Sequence, residues 1–177
     1  RATGVVMHDP MLSADLTARE NLRFICSMFG LNDTEERIVE VAYRVGMVAD
    51  LDRRVGTLSH GMQKRFSIAR ALLHNPRVLL MDEPESGLDQ SAIALMSEIV
   101  EATKLNGGAV LLVTHNLDQA LSLGDRLAIL VRGSLAHEQR LDVPGQTDIA
   151  TLREMYFRYT TDERDNDPQL NQSQSPL

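Results

Sequence analysis

The chain has 177 residues, 43% of them hydrophobic, with a net charge of −7 and a single cysteine. Its length suffices for one domain with a core, and one cysteine excludes an internal disulfide. Its acidic charge without a basic cluster disfavours nucleic-acid binding as the main task. The sequence contains no apolar run that would span a membrane and no signal segment. Because it opens on Arg1 rather than methionine, we expect the N-terminal part of a longer protein to precede it.

The N-terminal part is predicted to be mostly helical after one short strand. Thr17 and Glu20 have the spacing of a capping box, in which two side chains satisfy free backbone groups at a helix start. Gly30 is expected to end this helix, since glycine readily takes the left-handed conformation of a helix end. Cys26 occupies an apolar helical position, which favours a buried core thiol over the alternative, a reactive one. The predicted elements are a strand end with its loop at 3–10 and helices at 16–30 and 32–47.

After residue 58 the apolar pattern changes to short continuous runs between amphipathic helices. Such runs predict strands that are buried on both faces of a parallel sheet. The predicted elements are helix 60–74, strand 77–82, helix 89–105, strand 109–114, helix 116–124, a hairpin of 126–131 with 134–140, and a last helix at 148–159. This alternation predicts an α/β fold. From Thr160 on, the polar composition predicts a disordered tail.

Two acidic residues, Asp82 and Glu83, directly follow the apolar run VLLM. In open α/β sheets, ligands bind at the carboxyl ends of the strands. A carboxylate in this place can hold Mg²⁺, which we predict for Asp82. Glu83 is then the natural general base for a water that attacks a phosphoryl group. The alternative is a strand that ends in an ordinary polar turn, and the motif alone does not decide between the two.

The segment LSHG at 58–61 precedes an amphipathic helix, with Ser59 as the predicted N-cap and Gly61 allowing close approach of a backbone. A helix N-terminus offers unpaired N–H groups and a positive dipole end, which suit a phosphate. Taken alone, a plain serine-capped helix is the favoured alternative. His115 directly follows the second apolar strand, where it can donate to a γ-phosphate and help orient the water, or can be a surface turn histidine. The remaining histidines show no metal-ligand spacing.

The order of these pieces resembles the ATP-binding domain of ABC transporters over about residues 3–140. LSHGMQ resembles the family's LSGGQ signature motif, with His60 in place of a glycine and Met62 in place of the glutamine. VLLMDE resembles its Walker B motif, SGLD with Asp89 its D-loop, and His115 its switch histidine. Four motifs in the family's order argue against a chance match.

The resemblance implies a P-loop NTPase (RecA-like) fold of the α/β class, with a parallel-sheet core and a helical subdomain that faces the membrane subunits. No GxxxxGK[ST] motif occurs in the sequence. The P-loop part, and with it the aromatic residue that stacks on adenine, is therefore expected to lie before Arg1. The implied segments are a core strand end and the Q-loop at 1–12, the helical subdomain at 13–57, the signature helix and ATPase core at 58–142, and a C-terminal helix with a disordered tail at 143–177.

In the family, two ATP-binding domains meet head to tail, and the signature motif of one caps the γ-phosphate held by the other. The resemblance therefore implies that Ser59, His60 and Gly61 bind ATP in trans. It implies that Glu83 and His115 are catalytic in their own chain. ATP and Mg²⁺ are the implied ligands, and a second ATP-binding domain is an implied partner.

The implied function is ATP hydrolysis that powers transport, with export as the expected direction. The chain would work as a peripheral subunit on an integral membrane permease, at the cytoplasmic face of the cell membrane. His8 falls where the family has its Q-loop glutamine, which reaches the metal and the attacking water and couples the site to the membrane subunit. His8 and the stretch LTARENLRF are similar to the haem-exporter ATPases of cytochrome c maturation, while LSHGM is similar to drug-exporter and ABC-2-type subunits. The alternatives are an ABC ATPase that moves no solute, and an inactive fragment that cannot bind ATP alone.

Overall fold

The structure is a computed structural model that describes residues 2–141 and 148–161. The chain divides into two compact units, Arg1–His115 and Asn116–Leu177. The first unit contains a sheet with helices, and the second contains a hairpin with two helices. No helix in these two described ranges is long and apolar enough to cross a membrane. The division into four functional segments stays a prediction.

The first unit begins with the predicted strand and helices. Its elements in chain order are β1 (Thr3–Val6), α1 (Ala18–Phe29), α2 (Thr34–Arg44), two 3₁₀ turns (Val48–Asp50 and Val55–Thr57), α3 (His60–Leu72), β2 (Val78–Asp82), α4 (Gln90–Leu105) and β3 (Ala109–Val113). The capping box of α1 is confirmed, since Thr17 and Glu20 exchange both of its hydrogen bonds. Gly30 ends α1 in the left-handed conformation. Cys26 is fully buried, and burial raises the pKa of its thiol, as expected for a core residue.

The sheet of the first unit is parallel throughout, with β2 between β1 and β3. This confirms the predicted α/β class. Close packing places β1 against α3, because a Cβ on Gly4 would lie 2.4 Å from the carbonyl oxygen of Ala71. Only a glycine fits at this contact, so its small size sets how near the strand lies to the helix that follows LSHG.

The prediction that the strands are buried on both faces was wrong for the described residues. Leu79 and Met81 of β2 are buried, whereas Leu80 between them is 36% exposed. In β3, Leu111 and Val113 are 61% and 52% exposed. Because successive side chains of a strand point to opposite faces, this alternation means that the described helices cover one face of the sheet only.

The second unit consists of α5 (Leu117–Leu123), β4 (Arg126–Val131), β5 (Ser134–Arg140) and α6 (Ile149–Thr161). The predicted hairpin is confirmed, since β4 and β5 pair antiparallel. Its small core is formed by Leu127, Ile129 and Leu152. The predicted tail was placed too early, because α6 includes Thr160, whose hydroxyl donates to the carbonyl of Tyr156 at 2.7 Å. Such a bond to the preceding turn is compatible with a helix. The rest of the predicted tail, 162–177, lies outside the described residues.

Candidate functional site

The carboxyl ends of the three parallel strands carry four of the predicted site residues, which are His8, Asp82, Glu83 and His115. Asp82 ends β2 level with Val113 of β3, so the residues that follow the two strands are neighbours. Nδ1 of His115 lies 3.1 Å from Oε1 of Glu83. The structure therefore brings the two predicted catalytic residues into hydrogen-bond contact. Their side chains are 41% exposed for Glu83 and 69% for His115, so both are accessible to a ligand at this edge.

The backbone holds Glu83 in an unusual conformation. Its φ is 42°, in the left-handed region that residues other than glycine adopt only at a cost. Its N–H donates to the carbonyl of Val113 at 2.9 Å, which ties the turn to β3. Strained residues of this kind cluster at functional sites, where the surrounding structure maintains them. The conformation turns the Glu83 side chain towards His115 instead of continuing the strand.

The predicted signature segment forms the start of α3. The side chain of Ser59 accepts a hydrogen bond from the N–H of Met62 at 3.3 Å, which confirms Ser59 as an N-cap. A Cβ on Gly61 would lie 3.3 Å from the carbonyl oxygen of Gly87, and one on Gly87 would lie 2.5 Å from Nδ1 of His60. The start of α3 therefore packs closely against the SGLD segment, and a side chain at position 87 would require the His60 ring to move.

Asp89 forms the other half of this junction as the N-cap of α4. Its carboxylate accepts from the N–H of Ala92 and the hydroxyl of Ser91, both at 2.8 Å, and from Arg65 of α3 at 3.2 Å. The hydrogen bond from Ala92 is the first cause that lowers the pKa of Asp89. Asp89 thus connects the beginnings of α3 and α4. Its D-loop role stays a prediction, and no sequence pattern pointed to Arg65.

His8 and Asp82, the two other predicted residues at the strand ends, take no part in the Glu83–His115 hydrogen bond. Both His8 and Asp82 are exposed. The described part of the chain holds no group of three or more side chains suited to a metal ion. A single carboxylate, that of Asp82, nevertheless fits Mg²⁺. When Mg²⁺ binds with a nucleotide, proteins often supply one or two carboxylates, and water and phosphate complete the coordination shell. The roles of His8 and Asp82 stay predictions.

Two buried residues, Lys64 and Glu85, and the half-buried Thr114 form contacts at this edge that the sequence analysis did not predict. Lys64 is fully buried in α3, and its Nζ donates to the carbonyl of Met7 at 2.8 Å. Burial lowers the pKa of Lys64, while attraction to nearby carboxylates, first that of Glu85, opposes this shift. The hydroxyl of Thr114 donates to the Glu85 carboxylate. One signal was available for Lys64, because it lies on the same helix face as the buried Ile68.

Comparisons with known proteins agree with this site. Residues 1–86 match the profile of the family described as ABC transporter. A Nod factor export ATP-binding protein I of Burkholderia thailandensis is 38% identical over 75% of this chain and 44% of its own length. An aliphatic sulfonates import ATP-binding protein of Pseudomonas savastanoi pv. phaseolicola is 35% identical over 83% of this chain and 54% of its own length.

A solved dimeric structure of an ATP-binding cassette, in a post-hydrolysis state with ADP and phosphate, superimposes with a TM-score of 0.73. It is 27% identical, and the match covers 80% of this chain and 63% of that one. The chain spans about half the length of the curated relatives it matches. It belongs to the ABC transporter family, and its fold is that of a P-loop NTPase.

The lowered pKa of Asp89 predicts a pH-dependent contribution to stability. A carboxyl whose pKa is lower in the folded state stabilises the fold above its ordinary pKa of about 3.9 and loses this contribution as the pH falls. Asp89→Ala should therefore lower the free energy of unfolding at pH 7 more than at about pH 3. Denaturant titrations at both pH values measure this. Asp89→Asn, which keeps a capping oxygen without the charge, should be intermediate at pH 7. An equal loss for Asp89→Ala at both pH values would contradict the assignment.

Proposed function

We propose that the protein hydrolyses ATP to ADP and phosphate as the ATP-binding subunit of an ABC transporter. The observation that carries this proposal is the Glu83–His115 contact at the carboxyl edge of the parallel sheet. An ionised carboxylate only accepts hydrogen bonds, so Nδ1 of His115 carries the hydrogen between the two groups. The carboxylate oxygens of Glu83 can then take a proton from water as the water attacks the γ-phosphate.

His115 would stabilise charge on the phosphate. With Nδ1 donating to Glu83, its Nε2 donates to a phosphate oxygen only when the ring is protonated. The protonated ring would then place positive charge next to the phosphate oxygens. Asp82 would hold Mg²⁺, which neutralises charge on the phosphates when bound. Catalysis by this chain then consists of positioning and electrostatic stabilisation.

We also place Ser59, His60 and Gly61 in a site shared with a second ATP-binding domain. Free N–H groups at the start of α3 attract phosphate, and Ser59 and His60 are exposed. They lie on a different loop from the Glu83–His115 pair, so one chain can offer its pair to one nucleotide and its helix start to another. The dimeric state of the solved cassette supports this arrangement.

Glu83→Gln tests the proposed base in the full-length protein. The amide keeps the shape of the side chain but cannot accept the proton, so ATP turnover should fall by about a hundredfold or more while ATP still binds. Phosphate release and nucleotide retained after gel filtration measure the two effects. Unchanged hydrolysis would exclude Glu83 as the base.

The same variant provides the background for the shared site. Because ATP binds to the Glu83→Gln protein without being hydrolysed, this variant should accumulate as a dimer when ATP is added. Adding Ser59→Arg should abolish that dimer, because the new side chain fills the place of the phosphate. Ser134→Arg, which adds the same charge at an exposed position in β5, is the matched control. An ATP-dependent dimer that survives Ser59→Arg would contradict the shared site.

A surface patch on α2 and the following 3₁₀ turn is our proposed docking surface for the membrane permease. Val39, Tyr43 and Val48 of this patch are 40%, 78% and 43% exposed. Glutamates rim it, at positions 35, 36 and 40. An exposed apolar area with a charged rim is typical of a protein–protein contact. We propose that it receives a cytoplasmic segment of the permease with apolar and basic side chains, which would hold this subunit at the cytoplasmic face of the membrane.

Tyr43→Glu should separate docking from hydrolysis. It adds charge to the centre of the patch, so the permease should no longer copurify, while ATP turnover of the isolated subunit stays unchanged. Tyr156→Glu on α6, where the tyrosine is 40% exposed, is the matched control. Copurification that persists in Tyr43→Glu would contradict the docking surface.

We propose export as the direction of transport, as the name of the Nod factor relative states for that protein. Inside-out vesicles that contain the wild-type complex should then accumulate cargo.

A further inference from the structure

Partly buried hydrogen bonds hold the segments that follow the three strands of the parallel sheet. Lys64 of α3 donates to the carbonyl of Met7, which lies one residue beyond β1. Thr114, one residue beyond β3, donates its hydroxyl to Glu85, three residues beyond β2. The Glu85 carboxylate in turn attracts the Lys64 ammonium. Lys64, Glu85 and Thr114 therefore form one network, called here the edge network.

Each contact of the edge network lies beside a predicted site residue. Thr114 precedes His115, Glu85 is two residues beyond Glu83, and Met7 precedes His8. The site side chains are exposed, whereas Lys64 is fully buried and Glu85 only 9% exposed. A hydrogen bond between exposed groups competes with water and holds its partners weakly. Buried contacts one or two residues away can fix the backbone from which Glu83 and His115 extend.

The edge network is maintained at a cost that packing alone would avoid. Oε2 of Glu85 is buried and has no hydrogen-bond partner among the described residues. Lys64 is buried, and among the described residues its ammonium, which has three donors, makes one hydrogen bond. Apolar side chains of similar size would fill such a place without desolvating charges. These polar groups cost stability and lie beside the strained Glu83. This indicates that they serve the geometry of the site more than the stability of the fold.

We propose that Lys64, Glu85 and Thr114 are positioning residues that keep Glu83 and His115 in contact for ATP hydrolysis. This inference rests on the proposed ATPase function. The Thr114–Glu85 hydrogen bond links the β2 and β3 segments at the level of the catalytic pair, and the hydrogen bond of Lys64 to Met7 holds the segment that carries His8. None of the three is among the predicted nucleotide contacts, so the proposed role is to orient the pair and not to bind the nucleotide.

Thr114→Val tests this in the full-length protein with matched shape and no hydroxyl. Loss of one buried hydrogen bond that orients the pair should lower kcat for ATP about tenfold. Since nucleotide binding is untouched, KM should change by less than about twofold. Thr114→Ser, which restores the hydroxyl, should recover most of the turnover. Thr114→Ala is a second variant without added bulk and should lose as much kcat as the valine variant.

Two comparisons separate positioning from general destabilisation. Thr103→Val removes a hydroxyl that donates to the carbonyl of Ile99 at 2.8 Å within α4, and it should leave kcat unchanged. In a Glu85→Ala background, Thr114→Val should lower kcat much less than in the wild-type background, because the bond to Glu85 is already absent. Full kcat in folded Thr114→Val and Thr114→Ala, or equal losses in both backgrounds, would overturn the inference. Absence of turnover in the wild-type protein would instead overturn the proposed function on which it rests.

Discussion

The parallel register of β1, β2 and β3 is the constraint on which the candidate site depends. Parallel strands end at the same edge of a sheet, so the segments after them are neighbours although they are far apart in the chain. Here β2 and β3 end level, and Glu83 and His115 meet across 3.1 Å. A shift of one residue in this register would move the side chains of β3 to the opposite faces and separate the pair.

The helix α3 contributes to the carboxyl edge of the sheet in two places, at its Ser59-capped start and at the buried Lys64. Its start, capped by Ser59, packs against Gly87, and its second turn places Lys64 beneath the carboxyl ends of the strands. The close approach of β1 at Gly4 fixes where this helix lies. A single helix therefore binds the segment after β1 through a buried cation, and presents free N–H groups at its exposed start. This arrangement connects two predicted sites through one rigid element.

Local patterns in the sequence were sufficient for most of the elements and for the ends of the strands. Thr17 and Glu20 predicted the start of α1, and the VLLMDE run predicted where β2 ends, because capping and short apolar runs depend on neighbours in sequence. The family resemblance implied that Glu83 and His115 serve the same chain's site, but their direct contact was not predicted. Exposure of Leu111 was not predicted, since burial of a sheet face depends on what packs against it.

The edge network could not be predicted from spacing. Lys64, Glu85 and Thr114 lie on three separate elements, and their contacts follow from the sheet register and the position of α3. A lysine on the apolar face of a helix is the one local signal, and it identifies burial without identifying a partner. Sequence motifs therefore do not predict polar residues that act through tertiary contacts.

The central claim is that one chain contributes its Glu83–His115 pair to one ATP site and its Ser59 helix start to another. Mixing two full-length variants, Ser59→Ala and Glu83→Gln, each of which should hydrolyse little ATP alone, tests this most directly. In a head-to-tail dimer of the two, one site combines intact Glu83 with intact Ser59, so the mixture should regain turnover that neither variant has. If both residues served one site within a single chain, every site in the mixture would carry a defect, and turnover would stay at the level of the separate variants.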